Sequence, residues 1–553
     1  MTAESTETTE TTETPIVGVG PDFPVVFEDP AHARLTWEWD DMHMPFANTP
    51  LAADWTRVCG QGFGAWKEGL EAELPARTLT AIWNGYAYFA FDPGATGAER
   101  EAHVARSTEI FRAHIEVADV EWRDRFLPEL RAIYAAQDAT PVDDLPPEDA
   151  AEAWERAWAG AGRAWRIHFI AINGPYQVLD DLADLYEAAV PGAAPGESLR
   201  LIQGQRHELL DIELGMERLT ELAAGLPHVA AALRSGTRDL LTLSKVQGGG
   251  AFADAVQEFL SVHGHMGQSV DDLTIPSWSE APERLVAEVA KRLDHRPESA
   301  EARRERLARE ADTLADHVRT RLADRPDELA RFEHLLERSR AIGPITETHN
   351  YWIDRGSQSH LRRLVMRYGA RLAREGVIDR PDDVFYLTRG EVPGLLRTGE
   401  DRRAAVAERR ALHERQRATP PPRYVGKAPD AQKPRDRFDG ERVDSDEAGV
   451  LKGTGASAGV VRGPARVVLS SAEFDRILPG DVIVCPSSNP SWVPVFTIAA
   501  GLVTNTGGVL SHAAVVAREF GLPAVVGVQG ATTSIPDGRT IEIDGTAGTV
   551  TLL

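Results

Sequence analysis

Residues 504–527 read TNTGGVLSHAAVVAREFGLPAVVG. A β-type run, Leu502 to Thr504, enters a Gly507-Gly508 turn, a helix starts at Ser511-His512, and a second β-type run begins at Ala524. Gly507 and Gly508 carry no side chains, so backbone N–H groups can approach an anion closely. Ser511 suits a helix N-cap, and a helix N-terminus presents free N–H donors and partial positive charge. A dianionic phosphoryl group needs that environment. His512 follows as the expected nucleophile: an imidazole with a pKa near ~6.5 is mostly neutral at pH 7. Phosphorylation on its nitrogen gives a reactive phosphoramidate, suited to passing the group onward. Ala513 and Ala514 leave room for a donor or acceptor to come close. His512 is therefore the catalytic candidate, with Gly507, Gly508, Ser511 and Arg518 as phosphate-binding candidates.

The grammar around this segment is that of strands. Val460-Val461, Ala465 to Leu469, Val482 to Cys485, Ala524 to Val528, Thr540 to Ile543 and Thr549 to Leu552 are short β-type runs separated by Gly, Pro and Asp. Residues 449–553 read as one compact β-rich domain whose one helical piece is His512 to Phe520. Upstream, Thr419-Pro420-Pro421-Pro422 opens a polar, proline-bearing stretch, and residues 419–448 are assigned as a semi-rigid linker and hinge. Residues 29–418 are rich in Ala, Leu, Glu and Arg at helical spacing. Between Pro297 and Ser339 the pattern is helical and interrupted at Pro326, and Gly248 to Gly250 read as a loop. Residues 1–28 open with a Thr/Glu-rich run and read as a disordered tail, not a signal peptide.

The chain has 553 residues and a formal net charge of −25. That charge argues against nucleic-acid binding and means a phosphate must be held by local donors. Two distant cysteines, Cys59 and Cys485, offer neither a metal spacing nor a disulfide framework. No apolar run reaches the roughly 18 residues a membrane span needs, so no membrane partner and a cytoplasmic location are expected.

The segment GGVLSHAAVVAREFGLPAVVGV resembles the phosphohistidine domain of the phosphoenolpyruvate-utilising enzymes: pyruvate phosphate dikinase, phosphoenolpyruvate synthase and rifampin phosphotransferase. The likeness extends through GTGASAGVVRGPARVV, PGDVIVCPSSNPSWVPVF and IPDGRTIEIDGTAGTV, and so over nearly all of Gly453 to Leu553. It implies that His512 is phosphorylated and that its domain, a swivelling β/β/α sandwich, swings between a donor and an acceptor site. The expected fold is therefore multidomain, with a mainly α-helical N-terminal region and that C-terminal phosphohistidine domain. WEWDDMHMPFANTPL, EFLSVHGHMGQSVDDLTIPSWSEAP, ETHNYWIDR and DDVFYLTRGE resemble the helical acceptor domain of rifampin phosphotransferase-like proteins, in scattered blocks over residues 30 to 400.

Those relatives begin with an ATP-grasp domain, and the phosphoenolpyruvate enzymes end with a β/α barrel. Neither pattern is found in this sequence, nor a GxxxxGK[ST] loop. The resemblance then implies a divided enzyme. A separate ATP-grasp subunit, holding ATP and Mg2+, would charge His512 in trans, and the acceptor would be a small, phenolic aromatic hydroxyl compound, as in two-protein phenol kinases. A rifampin-type antibiotic phosphotransferase and a non-catalytic regulatory phosphocarrier are the alternatives. No cofactor motif and no metal site are assigned to this chain.

Acceptor-site candidates are His43, His263, His265, Asp271 and Trp39, the last within an aromatic group that also holds Trp37, Phe46, Trp83, Tyr86, Tyr88, Phe89 and Phe91. Asp272, His349 and Arg355 are further polar residues in the matched blocks, and a general base for an attacking hydroxyl should come from this combined set. Met266 stands where the family has Arg after HGH, which leaves a phosphate-binding role there without support.

Overall fold

The computed structural model describes residues 20, 23–41, 43–70, 77–193, 196–267, 272–294, 298–428, 449–469, 471–488, 492–509 and 511–553. Most of residues 29–418 is helical, as the 3.6-residue apolar spacing dictates. Three segments position the site: Pro147–Ala171 (α1), Asn173–Ala189 (α2) and Ile345–His349 (α3), the last running through a π-helical turn, Asn350–Arg355, into Gly356–Arg374 (α4). Between Ala300–Arg321 and Pro326–Ile342 the helix breaks where expected, with Pro326 in the first turn of the second piece. There its missing N–H costs nothing. Gly248, at φ 80°, caps the start of the helix Gly249–His263, so the glycine run begins an element instead of forming only a loop.

The helical reading of residues 29–418 misses a sheet. Thr36–Trp39 (β1), Arg77–Trp83 (β2), Tyr86–Asp92 (β3) and Tyr424–Gly426 (β4) form a four-stranded sheet in the order β2-β3-β1-β4. Asn84 and Gly85, both with positive φ, make the β2–β3 hairpin. The alternating aromatics of TWEW and YAYFAF favour such a pleated, half-buried surface. Trp37, Trp83, Tyr86, Tyr88 and Val425 are buried together there, with Phe23 from the expected tail. Residues 23–28 are thus packed onto the sheet, while residues 1–19, 21 and 22 lie outside the described residues.

β4 also corrects the hinge. Thr36, Trp37 and Glu38 pair antiparallel with Gly426, Val425 and Tyr424, and Arg423 donates to Glu38 (2.8 Å) and Asp41 (3.1 Å). The first third of the linker is therefore stitched to the N-terminal sheet, and any swivel must begin beyond it. Residues 429–448, the rest of that stretch, lie outside the described residues.

The C-terminal domain is built on eight strands: Val450–Lys452 (β5), Thr454–Ser457 (β6), Val460–Val467 (β7), Val482–Cys485 (β8), Gly501–Thr504 (β9), Ala524–Val526 (β10), Thr540–Asp544 (β11) and Thr549–Leu552 (β12). Their order is β5-β12-β11-β7-β8-β9-β10-β6, and β7, β8, β9 and β10 are mutually parallel. β8, β9 and β10 are buried at every position, as parallel strands covered on both faces must be. The helix His512–Glu519 (α5) follows β9. His512 thus sits beyond the carboxyl ends of central parallel strands, where α/β sheets place their ligand sites.

Candidate functional site: a buried histidine between two domains

The turn after β9 has the form its glycines require. Gly507 has φ 110°, and a Cβ there would stand 2.8 Å from Ser511 Oγ. Ser511 occupies the N-cap position with φ −64° and ψ 153°, but its hydroxyl does not cap the helix. It donates instead to the Gly508 carbonyl (2.8 Å), bracing the turn. Arg518, a phosphate-binding candidate, is committed elsewhere: its guanidinium donates to the carbonyls of Ala456 (3.0 Å) and Val509 (2.7 Å). Burial lowers its pKa to about 10. It holds the β6 edge and the site loop together.

His512 faces out of its own domain. Its Nδ1 lies 3.4 Å from Ser488 Oγ, in the loop after β8, and its Nε2 lies 3.7 Å from Glu347 Oε2 on α3. The ring is 12% exposed. Burial, with Arg355 next, pushes its pKa down to about 3, while Asp354 pulls the other way and His349 and His43 add smaller effects. The imidazole is therefore neutral at physiological pH, as a nucleophile must be. Glu347 is driven the opposite way, up to about 8, chiefly by burial. It is a neutral acid near pH 7, so it does not repel an anion on His512.

The docked face is held by named contacts. His207 Nε2 meets Glu519 Oε2 at 2.8 Å, Gln203 donates to the Arg518 carbonyl at 3.1 Å, and Arg303 donates to the Glu519 carbonyl at 3.2 Å. The Arg303 guanidinium also lies over the Phe520 ring, 4.7 Å from its centroid. Burial disfavours charge on His207, but Glu519 outweighs it, and the pKa rises from 6.5 to about 9. A raised histidine contributes stability that is fully present below its unperturbed pKa and lost as pH rises through the raised one. Docking of the C-terminal domain should therefore weaken by on the order of 1–3 kcal/mol as pH climbs through about 9. Hydrogen exchange of residues 511–521 across that range is the check. His207→Gln should remove the step, and an unchanged step in that variant would refute the assignment.

A second group lies behind Glu347. His168 (α1), His349 (α3) and Asp354 (π turn) bring their ligand-type atoms within 4.8 Å of one another. His168 Nδ1 is 2.9 Å from Asp354 Oδ1, and the two imidazoles meet edge-on at 4.6 Å. His349 and Asp354 are five residues apart, and the π turn brings them to one side of the chain. Trp165 stacks on His168 at 4.9 Å and Phe169 lies at 4.6 Å, with Phe63 3.9 Å from Phe169. The aromatic wall beside the site thus comes from Phe63, Trp165 and Phe169.

The other candidates fall as follows. His43 is half exposed, hydrogen-bonded to Asp40 at 3.0 Å, and close enough for its charge to act on His512 and Asp354. His263 shares a 2.9 Å hydrogen bond with the Tyr351 hydroxyl. His265 is packed 4.4 Å from the Tyr351 ring, and burial holds its pKa well below the usual histidine range. It lines a cleft with Gly267, Ser277, Arg355 and Gln358, and Arg355 from that cleft also acts on the charge of His512. Asp271 lies outside the described residues, and Asp272 turns inward to the N–H and hydroxyl of Thr274. Trp39 packs edge-on against Tyr86 at 5.9 Å and donates to the Met44 carbonyl. With Trp37, Trp83 and Tyr88 it packs on the small sheet, so these aromatics do not wall a pocket around His512. Phe91 is 63% exposed.

Comparison with known proteins gives two family matches. Residues 477–548 match the mobile domain of phosphoenolpyruvate-utilising enzymes, and residues 177–347 match the fourth domain of rifampicin phosphotransferase. The chain is thus related to the phosphoenolpyruvate-utilising enzymes and, among them, resembles the rifampicin phosphotransferases. It is 35% identical to the rifampicin phosphotransferase of Streptomyces sviceus over 62% of its length, covering 39% of that protein. It is 29% identical to the chondramide synthase of Chondromyces crocatus over its whole length, covering 14% of that protein. An uncharacterized phosphotransferase of Bacillus subtilis, YvkC, is 26% identical over 73% of the chain and is covered for 49% of its length. The chain therefore spans less than half of each of these relatives. Among the described residues no helix is long and apolar enough to cross a membrane.

Proposed function

We propose that the protein is a phosphotransferase in which His512 carries a phosphoryl group to a hydroxyl acceptor bound on the helical domain. The carrying observation is the docking of a neutral, buried His512 against Glu347, with Arg355, Asp354 and His349 close enough to act on its charge. Ser488 suits a role in holding the Nδ1–H tautomer, which leaves the Nε2 lone pair as the nucleophile toward the donor. In transfer, the acceptor oxygen bonds to phosphorus as the Nε2–P bond breaks and its electron pair returns to the ring. The ring is then again the neutral Nδ1–H imidazole, and the hydroxyl proton is taken up by the His168/His349/Asp354 group and passed to solvent. Arg355 supplies the positive charge that the transferring group requires.

The donor in this reading is ATP, held with Mg2+ on a separate ATP-grasp subunit that charges His512 away from the docked face. The acceptor is a small, phenolic molecule. Its flat, apolar body suits Trp165, Phe169 and Phe63, and its hydroxyl suits the polar group they flank. Likeness to rifampicin phosphotransferases favours a second reading, in which the acceptor is the antibiotic. The test is a discharge assay: His512-phosphorylated protein is mixed with a phenol panel or with rifampicin, and loss of the phosphoryl group is followed. Acceptor-dependent discharge by a phenol supports the first reading and discharge by rifampicin the second. Discharge by water alone, unchanged by every acceptor, would leave only a regulatory carrier.

A further inference from the structure

We propose that His168, His349 and Asp354 form a binding site for a divalent transition-metal cation, of the zinc or manganese kind, beside His512. Three observations carry this. The three residues converge from separate elements, with ligand atoms within 4.8 Å of one another. His349 donates its Nδ1–H to the Ile345 carbonyl at 2.7 Å, which fixes the tautomer and turns Nε2, with its lone pair, toward metal-ligand duty. The imidazoles of His168 and His349 meet edge to ring at 4.6 Å, and among the described residues no hydrogen bond joins them. His349 and Asp354 are buried and the His168 side chain is 12% exposed, so a cation held between their three ligand atoms is largely screened from water. A simple His168–Asp354 pair accounts for one imidazole and leaves His349 Nε2 without a function.

The donor set selects the ion. Two imidazoles and one carboxylate favour zinc, manganese, cobalt or ferrous iron over magnesium and calcium, which prefer all-oxygen shells. Three protein ligands leave a further position open, as in catalytic zinc sites. On the phosphotransfer reading above, that position takes the acceptor hydroxyl. The cation lowers the pKa of the bound O–H, the proton passes to solvent in place of the relay through residues that now serve as ligands, and the oxygen lies near the phosphoryl group on His512. The placement also matters electrostatically. In a chain of net charge −25, a divalent cation beside Arg355 offsets the dianion that His512 brings into a buried face.

Metal binding is tested on the full, uncharged chain with any purification tag removed, so the result does not depend on donor or acceptor. After chelator treatment and dialysis, Zn2+ or Mn2+ alone is added, and bound metal is measured by equilibrium dialysis and elemental mass spectrometry. One equivalent should be retained. His349→Gln and Asp354→Asn, each confirmed folded by circular dichroism, should weaken it by at least about 100-fold. Should either variant not fold, Co2+ added to the wild-type chain provides the second reading, with visible d–d bands expected from an imidazole-bearing site of low coordination number. Absence of stoichiometric binding, binding unchanged in both folded variants, or a Co2+ spectrum of the hydrated ion would overturn the proposal. His512→Ala should bind the cation as wild type does. Loss of binding there would make His512 a metal ligand and end the carrier reading instead.

Discussion

His512→Ala should lose acid-labile phosphate incorporation completely and reduce acceptor phosphorylation by on the order of 10^4-fold or more, the scale on which removal of a covalent nucleophile acts. The fold should survive. The ring is a surface group of its own domain, covered chiefly by the docked partner face. The substituted side chain would extend the Ala513-Ala514 start of α5, and alanine is the best helix former. The glycine turn would still be braced by the Ser511 hydroxyl on the Gly508 carbonyl. Circular dichroism and thermal unfolding separate a folded, inactive variant from a damaged one. Measurable turnover at the wild-type rate would mean that the phosphoryl group never visits this residue.

The second large effect concerns motion. In the docked state His512 is 12% exposed and faces Glu347, so a donor site elsewhere has no access to it. A carrier must leave this face to be charged and return to discharge. A Cβ placed on Gly196 would stand 2.9 Å from the Cβ of Val509, across the interface. A disulfide spans about 3.5–4.5 Å between Cβ atoms, so the two segments must part by several tenths of an ångström, and Gly196, at φ 72°, must relax, to admit one; Cys59 and Cys485 are buried and do not compete. The double variant Gly196→Cys/Val509→Cys, once oxidised, should discharge a phosphoryl group already on His512 and then stop after one turnover. Reduction should restore cycling. Normal multiple turnover in the oxidised form would show that the domain need not move. The stitched strand β4 narrows the expected hinge: Tyr424 to Gly426 are paired with β1 and are not part of it.

Much of the C-terminal domain is legible in its sequence because its strands are local and bounded. Val482 to Cys485 and Thr549 to Leu552 are continuous apolar or β-branched runs between Gly, Pro and Asp, and they form strands with those limits. The site helix, expected over His512 to Phe520, ends at Glu519. The four-stranded sheet is harder to foresee, since β1 pairs with a strand far along the chain, Thr36 with Gly426, and aromatic alternation on a short strand looks like a recognition surface. For the same reason Trp37 to Phe91 read as a pocket and turn out mainly to pack one face of a sheet.

The candidate nucleophile is legible and most of its surroundings are not. Gly507, Gly508, Ser511 and His512 lie in one short segment whose backbone geometry follows from residue type. Glu347, His168 and Asp354 meet His512 only when two domains dock, and no local pattern announces that. Glu347, His349, Asp354 and Arg355 do share one quoted block. Glu347, Asp354 and Arg355 fall at helical spacing, but His349 and Asp354 are five residues apart, a step that the π turn brings to one side and that counting in threes and fours hides. His168 is hidden differently. It lies on a 25-residue helix whose tryptophans and alanines dominate the pattern, and its neighbours read as ordinary core.

The central claim is that His512 carries the phosphoryl group, and it is tested most directly by locating that group. The chain is incubated with ATP, Mg2+ and a candidate ATP-grasp partner, digested under alkaline conditions that preserve phosphohistidine, and mapped by mass spectrometry. The account predicts a single phosphoryl group, on the peptide containing His512, appearing only with the partner present and disappearing when an acceptor is added. A phosphoryl group found on another residue, with His512 unmodified while acceptor is being phosphorylated, would contradict it.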